Sequence, residues 1–186
     1  MKTIIIASFH PLISRNVVST DIIPRLIRGG DVQVVVVVPD YKKQYFEKTY
    51  GQANVVFEGV DVGPNARSAV VRMFKRLSEA MPNTRRAALG RRRLHSGGKK
   101  PFFIYLLGYA PAGLLGRIPG ARWLMRFLDW YLTPRGRFSE LLERYRPAVV
   151  FSTDVQNEHD VALMQDAARR GIRVIGMVRS WDNLTT

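Results

Sequence analysis

The first polar loop of the chain places residues that could bind or activate a substrate directly after an apolar run. His10 follows the run Thr3–Ala7, and Arg15 and Asn16 stand a few residues later at the start of a helical pattern. An imidazole can accept a proton near neutral pH, and a helix start with a cation beside it favours a bound anion. We predict His10 as a catalytic base, and Arg15 and Asn16 as acceptor- or phosphate-binding residues. A packed His10 and a solvated Arg15 are the alternative.

A second polar loop, residues 152–160 (STDVQNEHD), precedes another helical pattern. Asp154 could orient an imidazole or accept a hydrogen bond from a substrate hydroxyl, so we predict a catalytic role for it. We predict that His159 contacts the acceptor or a phosphate, and that Asn157 caps the helix. The three histidines of the chain and its scattered carboxylates lack metal-ligand spacing, so no metal site is predicted.

A third polar loop, residues 178–186 (VRSWDNLTT), follows the last apolar run. We predict that Trp181, Asp182 and Asn183 bind the acceptor or a phosphate. Alternatively, Asp182 and Asn183 only form a turn while Trp181 covers the sheet edge. Because the chain stops in a polar turn directly after a core strand, we expect it to be one half of a larger protein.

The elements that would position these loops alternate between strands and helices. Buried strands are predicted from apolar runs at Thr3–Ala7, Val32–Val38, Asn54–Phe57, Ala148–Phe151 and Arg173–Met177. Helices are predicted at Asn16–Arg28, with a kink or restart at Pro24, and at 70–81, 121–132, Gly136–Arg146 and Glu158–Arg170. This alternation predicts an α/β fold, a Rossmann-like open parallel sheet of about five strands with helices on both faces. Ligands of such sheets bind at the carboxyl ends of the strands, where the three polar loops lie.

The composition excludes several classes of protein. The 186 residues are 46% hydrophobic and include no cysteine, which predicts one ordered domain without disulfides or a cysteine-bound zinc. The first loop has neither GxGxxG nor GxxxxGK[ST], so we predict neither classical dinucleotide binding nor P-loop hydrolysis. The apolar segment 101–116 is short and interrupted by glycine and proline, and no signal peptide is visible, so we expect a cytoplasmic protein.

Most of the positive charge lies in one segment of the chain. The formal charge is +14, and Arg67–Lys100 holds eleven lysines and arginines against one acid, which predicts an anionic partner. We predict a helical insertion at 66–132 with a mobile basic loop at 82–100. The residues predicted to bind an anionic membrane are Arg85, Arg86, Arg91, Arg92, Arg93, Lys99, Lys100, Phe102 and Phe103. A solvated loop and a nucleic-acid contact are the alternatives, although ribonucleoprotein aromatic motifs are missing.

An aromatic stripe follows this loop. Trp123, Leu124, Phe127, Leu128 and Tyr131 fall on one side of a predicted helix over 121–132. We interpret this stripe as domain core, with a membrane-interface face as the alternative.

Two runs of the sequence resemble a known family. The start TIIIASFHPLISRNVVSTDIIPRLIRGGDVQVVVVVP and the late run GIRVIGMVRSWDNLTT resemble the N-terminal domain of GT-B glycosyltransferases. More narrowly, they are similar to the bacterial surface-polysaccharide group related to CDP-glycerol glycerophosphotransferases and UDP-N-acetylglucosamine 2-epimerases. The run SWDNLT at 180–185 is the most specific match, whereas residues 67–131 match no part of that family.

The resemblance implies that residues 1–186 are the acceptor-binding half of a transferase, with 179–186 beginning the interdomain linker. A C-terminal donor-binding domain would be the partner and would hold the nucleotide-sugar donor, so this domain is expected to bind no cofactor. His10 occupies the loop that supplies the base in many members, although the glycine-rich versions of that loop are absent. The acceptor would be a glycan or a lipid-linked acceptor, with the protein peripheral on the inner face of the plasma membrane and this chain alone inactive. A nucleic-acid-binding α/β module and a sugar-nucleotide epimerase-like domain are the alternatives.

Overall fold

The computed structural model describes residues 1–10, 16–62, 110–132, 135–155 and 157–178, together with Met81, Leu89, Phe103 and Leu106. The chain divides into two compact units. The first combines Met1–Asn65 with Pro134–Asn183, and the second combines Ala66–Thr133 with Leu184–Thr186.

The first unit is built on a five-stranded, fully parallel sheet. Its strands are β1 (Lys2–Ala7), β2 (Val32–Pro39), β3 (Val55–Val60), β4 (Val149–Ser152) and β5 (Arg173–Gly176), in the order β3-β2-β1-β4-β5. The predicted Rossmann-like α/β fold is therefore confirmed. The order reverses direction between β1 and β4, and in open parallel sheets such a reversal opens a crevice beyond the strand ends.

Helices cover both faces of this sheet. Its described helices are α1 (Ile22–Ile27), α2 (Lys43–Tyr50, after a 3₁₀ turn at Asp40–Lys42), α5 (Ser139–Tyr145) and α6 (Glu158–Arg169); the second unit has α3 (Ala110–Leu115) and α4 (Ala121–Leu132). On β1, Ile5 and Ala7 pack with α5 and α6, whereas Ile6 packs with α1 and α2. This alternation follows from successive side chains of a strand pointing to opposite faces.

Three predictions about these elements need correction. The helix predicted over Asn16–Arg28 is interrupted at residues 19–21 and restarts at Ile22, upstream of Pro24. Pro24 thus stands in the first turn, where its missing N–H costs no intrahelical bond. Strand β3 continues to Val60 instead of ending at Phe57, because it pairs with β2 along that length. Strand β5 is not buried: it has a neighbour on one side only, and Ile175 is 54% exposed.

The aromatic stripe of the second unit is also not domain core as predicted. Helix α4 has the predicted bounds, but Trp123, Leu124, Phe127 and Tyr131 are exposed, and only Leu128 is half-buried. Periodicity alone identifies the side of a helix on which apolar residues lie, and the tertiary packing decides whether that side is covered. The helix predicted over 70–81 lies outside the described residues except for Met81, which is buried.

Candidate functional site

The candidate site lies at the carboxyl edge of the sheet between β1 and β4. Ala7 pairs with Ser152 in the parallel register, so the chain segments beginning at Ser8 and Thr153 leave the sheet side by side. The strand order reverses here, which is where ligands of open α/β sheets bind. The first and second polar loops of the sequence therefore meet at one place.

A cluster of buried polar residues occupies this edge. Ser8, Ser152, Thr153, Asp154 and Asp160 are each 0 to 2% exposed. Among the described residues, no hydrogen-bond partner contacts Ser8 Oγ, Thr153 Oγ1 or Asp160 Oδ2, although all three atoms are buried. Leaving a buried polar atom without a partner costs free energy, so such atoms are rare in native proteins and a bound water, ion or ligand group can account for them. The edge therefore offers two hydroxyls and one carboxylate oxygen to an additional polar group.

Asp160 is the titratable centre of this cluster. Its Oδ1 accepts hydrogen bonds from the Ser152 hydroxyl at 2.9 Å and the Asp154 N–H at 3.4 Å. Burial, the largest cause, and the nearby Asp154 together raise the pKa of Asp160 to about 6, since the hydrogen bonds only partly offset the loss of solvation. A carboxyl with this pKa can both accept and donate a proton close to neutral pH.

His159 is held at the same edge by contacts with Arg137 and Phe9, which come from two other segments of the chain. Arg137 Nη1 lies 2.9 Å from His159 Nδ1, and Arg137 Nη2 donates to the carbonyl oxygen of Asp61. Because a guanidinium can only donate, Nδ1 must be the acceptor, and the neutral ring carries its proton on Nε2. The Phe9 ring packs against the imidazole with 5.4 Å between centroids. His159 is thus positioned within the edge and is 9% exposed.

Asp166 fixes the loop that carries Arg137. Its two carboxylate oxygens accept the N–H groups of Gly136 and Phe138, each at 3.0 Å, and Arg169 lies 3.5 Å from Oδ1. The two N–H groups flank Arg137, so the carboxylate determines where that side chain starts. Asp166 is a positioning residue, because it acts on His159 only through the loop and Arg137.

The predicted site residues are only partly brought together. His10, Asp154 and His159 lie at this edge; His10 is half-buried. Asn16 is an exposed helical residue, and Phe103 is a helical residue that is 58% exposed. The others lie outside the described residues: Arg15, Arg85, Arg86, Arg91, Arg92, Arg93, Lys99, Lys100, Phe102, Trp181, Asp182 and Asn183.

Sequence reasoning missed Ser8, Thr153, Asp160, Arg137 and Asp166. The sequence did contain a signal for Asp160, because a carboxylate in the first helical turn after a polar strand end can face back toward that strand. Arg137 and Asp166 carry no local signal, since their partners are 22 and 28 to 30 residues away.

Asn157 caps helix α6, as predicted. Its side-chain oxygen accepts the N–H groups of His159 at 2.9 Å and Asp160 at 3.4 Å. We expect Asn157→Ala to lower the free energy of unfolding by about 1 kcal/mol, measured by urea denaturation. Asp21→Ala is the matched control, because Asp21 occupies the N-cap of α1 without a side-chain hydrogen bond there. Equal losses in the two variants would contradict the assignment.

Two further properties of the described residues bear on ligands. Within them, no group of three or more histidine, aspartate or glutamate side chains is arranged to hold a metal ion. An open depression of about 430 Å³ lies at the opposite edge, lined by Leu142, Glu143, Arg146, Pro147, Arg170 and Ile172. Since Pro147 and Ile172 precede β4 and β5, this depression is remote from the polar cluster, and its Arg170 is paired with Glu143 at 3.3 Å.

Comparisons with known proteins give no relative for this chain: no family model, no curated protein and no solved structure matches it. The described residues form an α/β fold with a polar cluster at the switch point of the sheet.

Proposed function

We propose that this chain is the acceptor-binding half of a GT-B glycosyltransferase that adds a sugar to a glycan or a lipid-linked acceptor during polysaccharide biosynthesis. The observation that carries the proposal is the buried cluster of hydroxyl and carboxyl groups at the β1/β4 switch point. Ser8 Oγ, Thr153 Oγ1 and Asp160 Oδ2, which are buried and have no hydrogen-bond partner within the described part of the chain, suit a ligand with several hydroxyl groups, because each hydroxyl can both donate and accept.

In the proposed reaction, one acceptor hydroxyl loses its proton to His10 while its oxygen bonds to the anomeric carbon of the donor sugar. The nucleotide diphosphate leaves with the electrons of the broken bond, on the side of a C-terminal donor-binding domain. Asp154 and Asp160 accept hydrogen bonds from acceptor hydroxyls and orient them. The buried carboxyls also disfavour a phosphate at this position, since like charges repel strongly where water is excluded.

The proposal places the protein peripherally on the inner face of the plasma membrane. Within the described parts of the chain, no helix combines the length and apolar character needed to cross a bilayer. The location is supported by the charge of the segment Arg67–Lys100, which contains eleven basic residues and one acidic residue.

Acceptor binding to the 186-residue chain tests the proposal. We expect methyl glycosides of common hexoses to shift amide NMR signals of Ser8–His10 and Ser152–Asp160, and His10→Ala or Asp154→Asn to weaken this binding about tenfold. Asp31→Asn, an exposed acid at the start of β2, is the control and should leave the affinity unchanged. Absence of shifts with every glycoside would contradict an acceptor site at this edge.

The alternatives predict different ligands in the same experiment. An epimerase-like domain would bind a free sugar nucleotide at this edge, whereas the proposed acceptor half leaves the donor to its C-terminal domain. A nucleic-acid module would bind oligonucleotides, with an affinity that falls steeply as salt is added. If the reading frame encodes no second Rossmann-like domain beyond Thr186 or beside it, the proposed transferase is contradicted even if a glycoside binds.

A further inference from the structure

The second unit carries an exposed aromatic face that the proposed chemistry does not use. Trp123, Phe127 and Tyr131 recur at intervals of four along α4 and therefore lie on one side of it. They are 68%, 43% and 54% exposed. Their rings form a continuous row, with centroids 5.5 Å apart from Trp123 to Phe127 and 4.6 Å apart from Phe127 to Tyr131. Rings of this size are rarely left in water as a contiguous patch without a partner.

The other sides of α4 show how the helix is held. Met125 is half-buried and lies opposite the rings, and Leu128 is half-buried at the border of the ring side, next to Leu124. Arg126 and Asp129 are exposed on the remaining side. Leu124 widens the exposed apolar side, which then covers about 100° of the helix circumference. One side of α4 is therefore partly buried, and the side that carries the rings is exposed to solvent.

Apolar residues outside α4 are also exposed in the second unit. Leu114 and Leu115 at the end of α3, and Ile118 in the following turn, are also exposed, and Arg117 is an exposed cation among them. At 1.5 Å per residue, α4 is roughly 18 Å long and cannot span the roughly 30 Å hydrocarbon layer of a bilayer. Such a helix can be covered by lying in the plane of a membrane interface.

The charge of the same unit decides between possible partners. Residues 66–133 form one unit, and this unit includes the segment Arg67–Lys100 with its eleven basic residues and one acid. A second copy of the chain could cover the rings but would bring equal positive charge with it. A nucleic acid could neutralise the charge but would offer phosphates and not an apolar phase to this face. An anionic bilayer supplies both an acyl boundary for Trp and Tyr rings and headgroups for cations.

We propose that Trp123, Leu124, Phe127 and Tyr131, the aromatic face of α4, insert into the headgroup boundary of an anionic lipid bilayer. The positive charge of the segment Arg67–Lys100, counted in the sequence, favours an anionic over a neutral surface. The inference deepens the proposed function and rests on it only for the membrane location, because it names the element that holds the domain there. Binding itself requires neither a sugar donor nor an acceptor.

Flotation of the 186-residue chain with vesicles tests this inference. We expect binding to vesicles of equal parts phosphatidylglycerol and phosphatidylcholine, and much weaker binding to phosphatidylcholine alone. The double variant Trp123→Ser, Phe127→Ser should lower the vesicle affinity about tenfold or more, because the two rings that the bilayer would bury are lost. Tyr45→Ser is the matched control, since Tyr45 is an aromatic residue of α2 that is 61% exposed; it should leave vesicle binding unchanged.

A second measurement keeps the test decisive if the double variant fails to fold. In a chain with Trp130→Phe and Trp181→Phe, Trp123 is the single remaining tryptophan. Its selectively excited emission should shift to the blue when anionic vesicles are added. Unchanged emission, absence of flotation, or equal flotation of the folded double variant would each overturn the inference. So would a dimer that the double variant dissociates, or oligonucleotide binding that outcompetes vesicles. The glycoside titration contains no lipid, so failure of acceptor binding is distinguishable from failure of membrane insertion.

Discussion

Replacing Asp166 with alanine is expected to lower the free energy of unfolding by about 3 to 5 kcal/mol, a large fraction of the stability of a domain this size. The carboxylate is 2% exposed and accepts two backbone N–H groups, those of Gly136 and Phe138, at 3.0 Å each. Removing it leaves these donors without their acceptor and takes the carboxylate away from Arg169. Urea denaturation followed by circular dichroism measures the loss.

The isosteric variant Asp166→Asn separates charge from volume. Its amide oxygen can accept one of the two N–H groups, but its NH₂ then faces the other donor, so we expect a loss of about 2 to 3 kcal/mol. Glu140→Ala is the control, because the Glu140 side chain is 87% exposed and its pair with Arg144 at 2.6 Å is a surface salt bridge. We expect that control to cost less than about 0.5 kcal/mol. Similar losses for Asp166→Ala and Glu140→Ala would refute the positioning role of Asp166.

The second large effect is a gain in stability on replacing Asp160 with asparagine, which we expect to reach about 2 to 3 kcal/mol at pH 8. Burial raises the folded-state pKa of Asp160 to about 6 from an ordinary value of 3.8. The folded protein therefore binds more protons than the unfolded chain between these values, and stability falls as the pH rises through this window. A difference of about two pKa units corresponds to about 3 kcal/mol.

The pH profile of Asp160→Asn identifies the group responsible. Well below pH 3.8 the wild-type carboxyl is neutral in both states, so the variant should have nearly the stability of the wild type there. Its advantage should grow through pH 6 and then level off. Glu47→Gln, at a carboxylate that is 47% exposed, is the control and should keep the wild-type slope. An Asp160→Asn variant that keeps the wild-type slope would assign the pH dependence to another group.

A stabilising Asp160→Asn substitution would also bear on function. A buried carboxyl that lowers stability at neutral pH contributes nothing to the fold that asparagine could not supply, since an amide oxygen can still accept from the Ser152 hydroxyl. Proteins keep residues that lower their stability mainly at sites where the activity needs those residues. Loss of glycoside binding together with the gain in stability would support Asp160 as an acceptor-orienting residue.

The sheet and its helices could be predicted from the sequence because their signals are local. A strand that is covered on both faces needs apolar side chains at every position, and continuous runs such as Val34–Val38 provide them. The five predicted runs became the five parallel strands. Asn157 was predicted as a cap from its position alone, since a cap needs only the next two or three residues. The concentration of basic residues in Arg67–Lys100 is likewise a property of the sequence itself.

The tertiary structure alone decided what meets at the edge of the sheet. Strand β4 lies beside β1 although about 145 residues separate them, and only this pairing brings the loops after Ala7 and Ser152 together. The partners of Arg137 and Asp166 depend on how α5 and α6 pack on that sheet, which no local pattern encodes. Burial in turn raised the pKa of Asp160, because solvation is lost only when the surrounding segments close over it.

The exposure of α4 shows the same division. The sequence determined that Trp123, Phe127 and Tyr131 share one side of a helix, because helical geometry repeats every 3.6 residues whatever surrounds it. It did not determine whether that side is core or surface, because a buried helix side and an exposed apolar side show the same periodicity of apolar residues. The structure placed the three rings in solvent, whereas Met125 on the opposite side of α4 is half-buried.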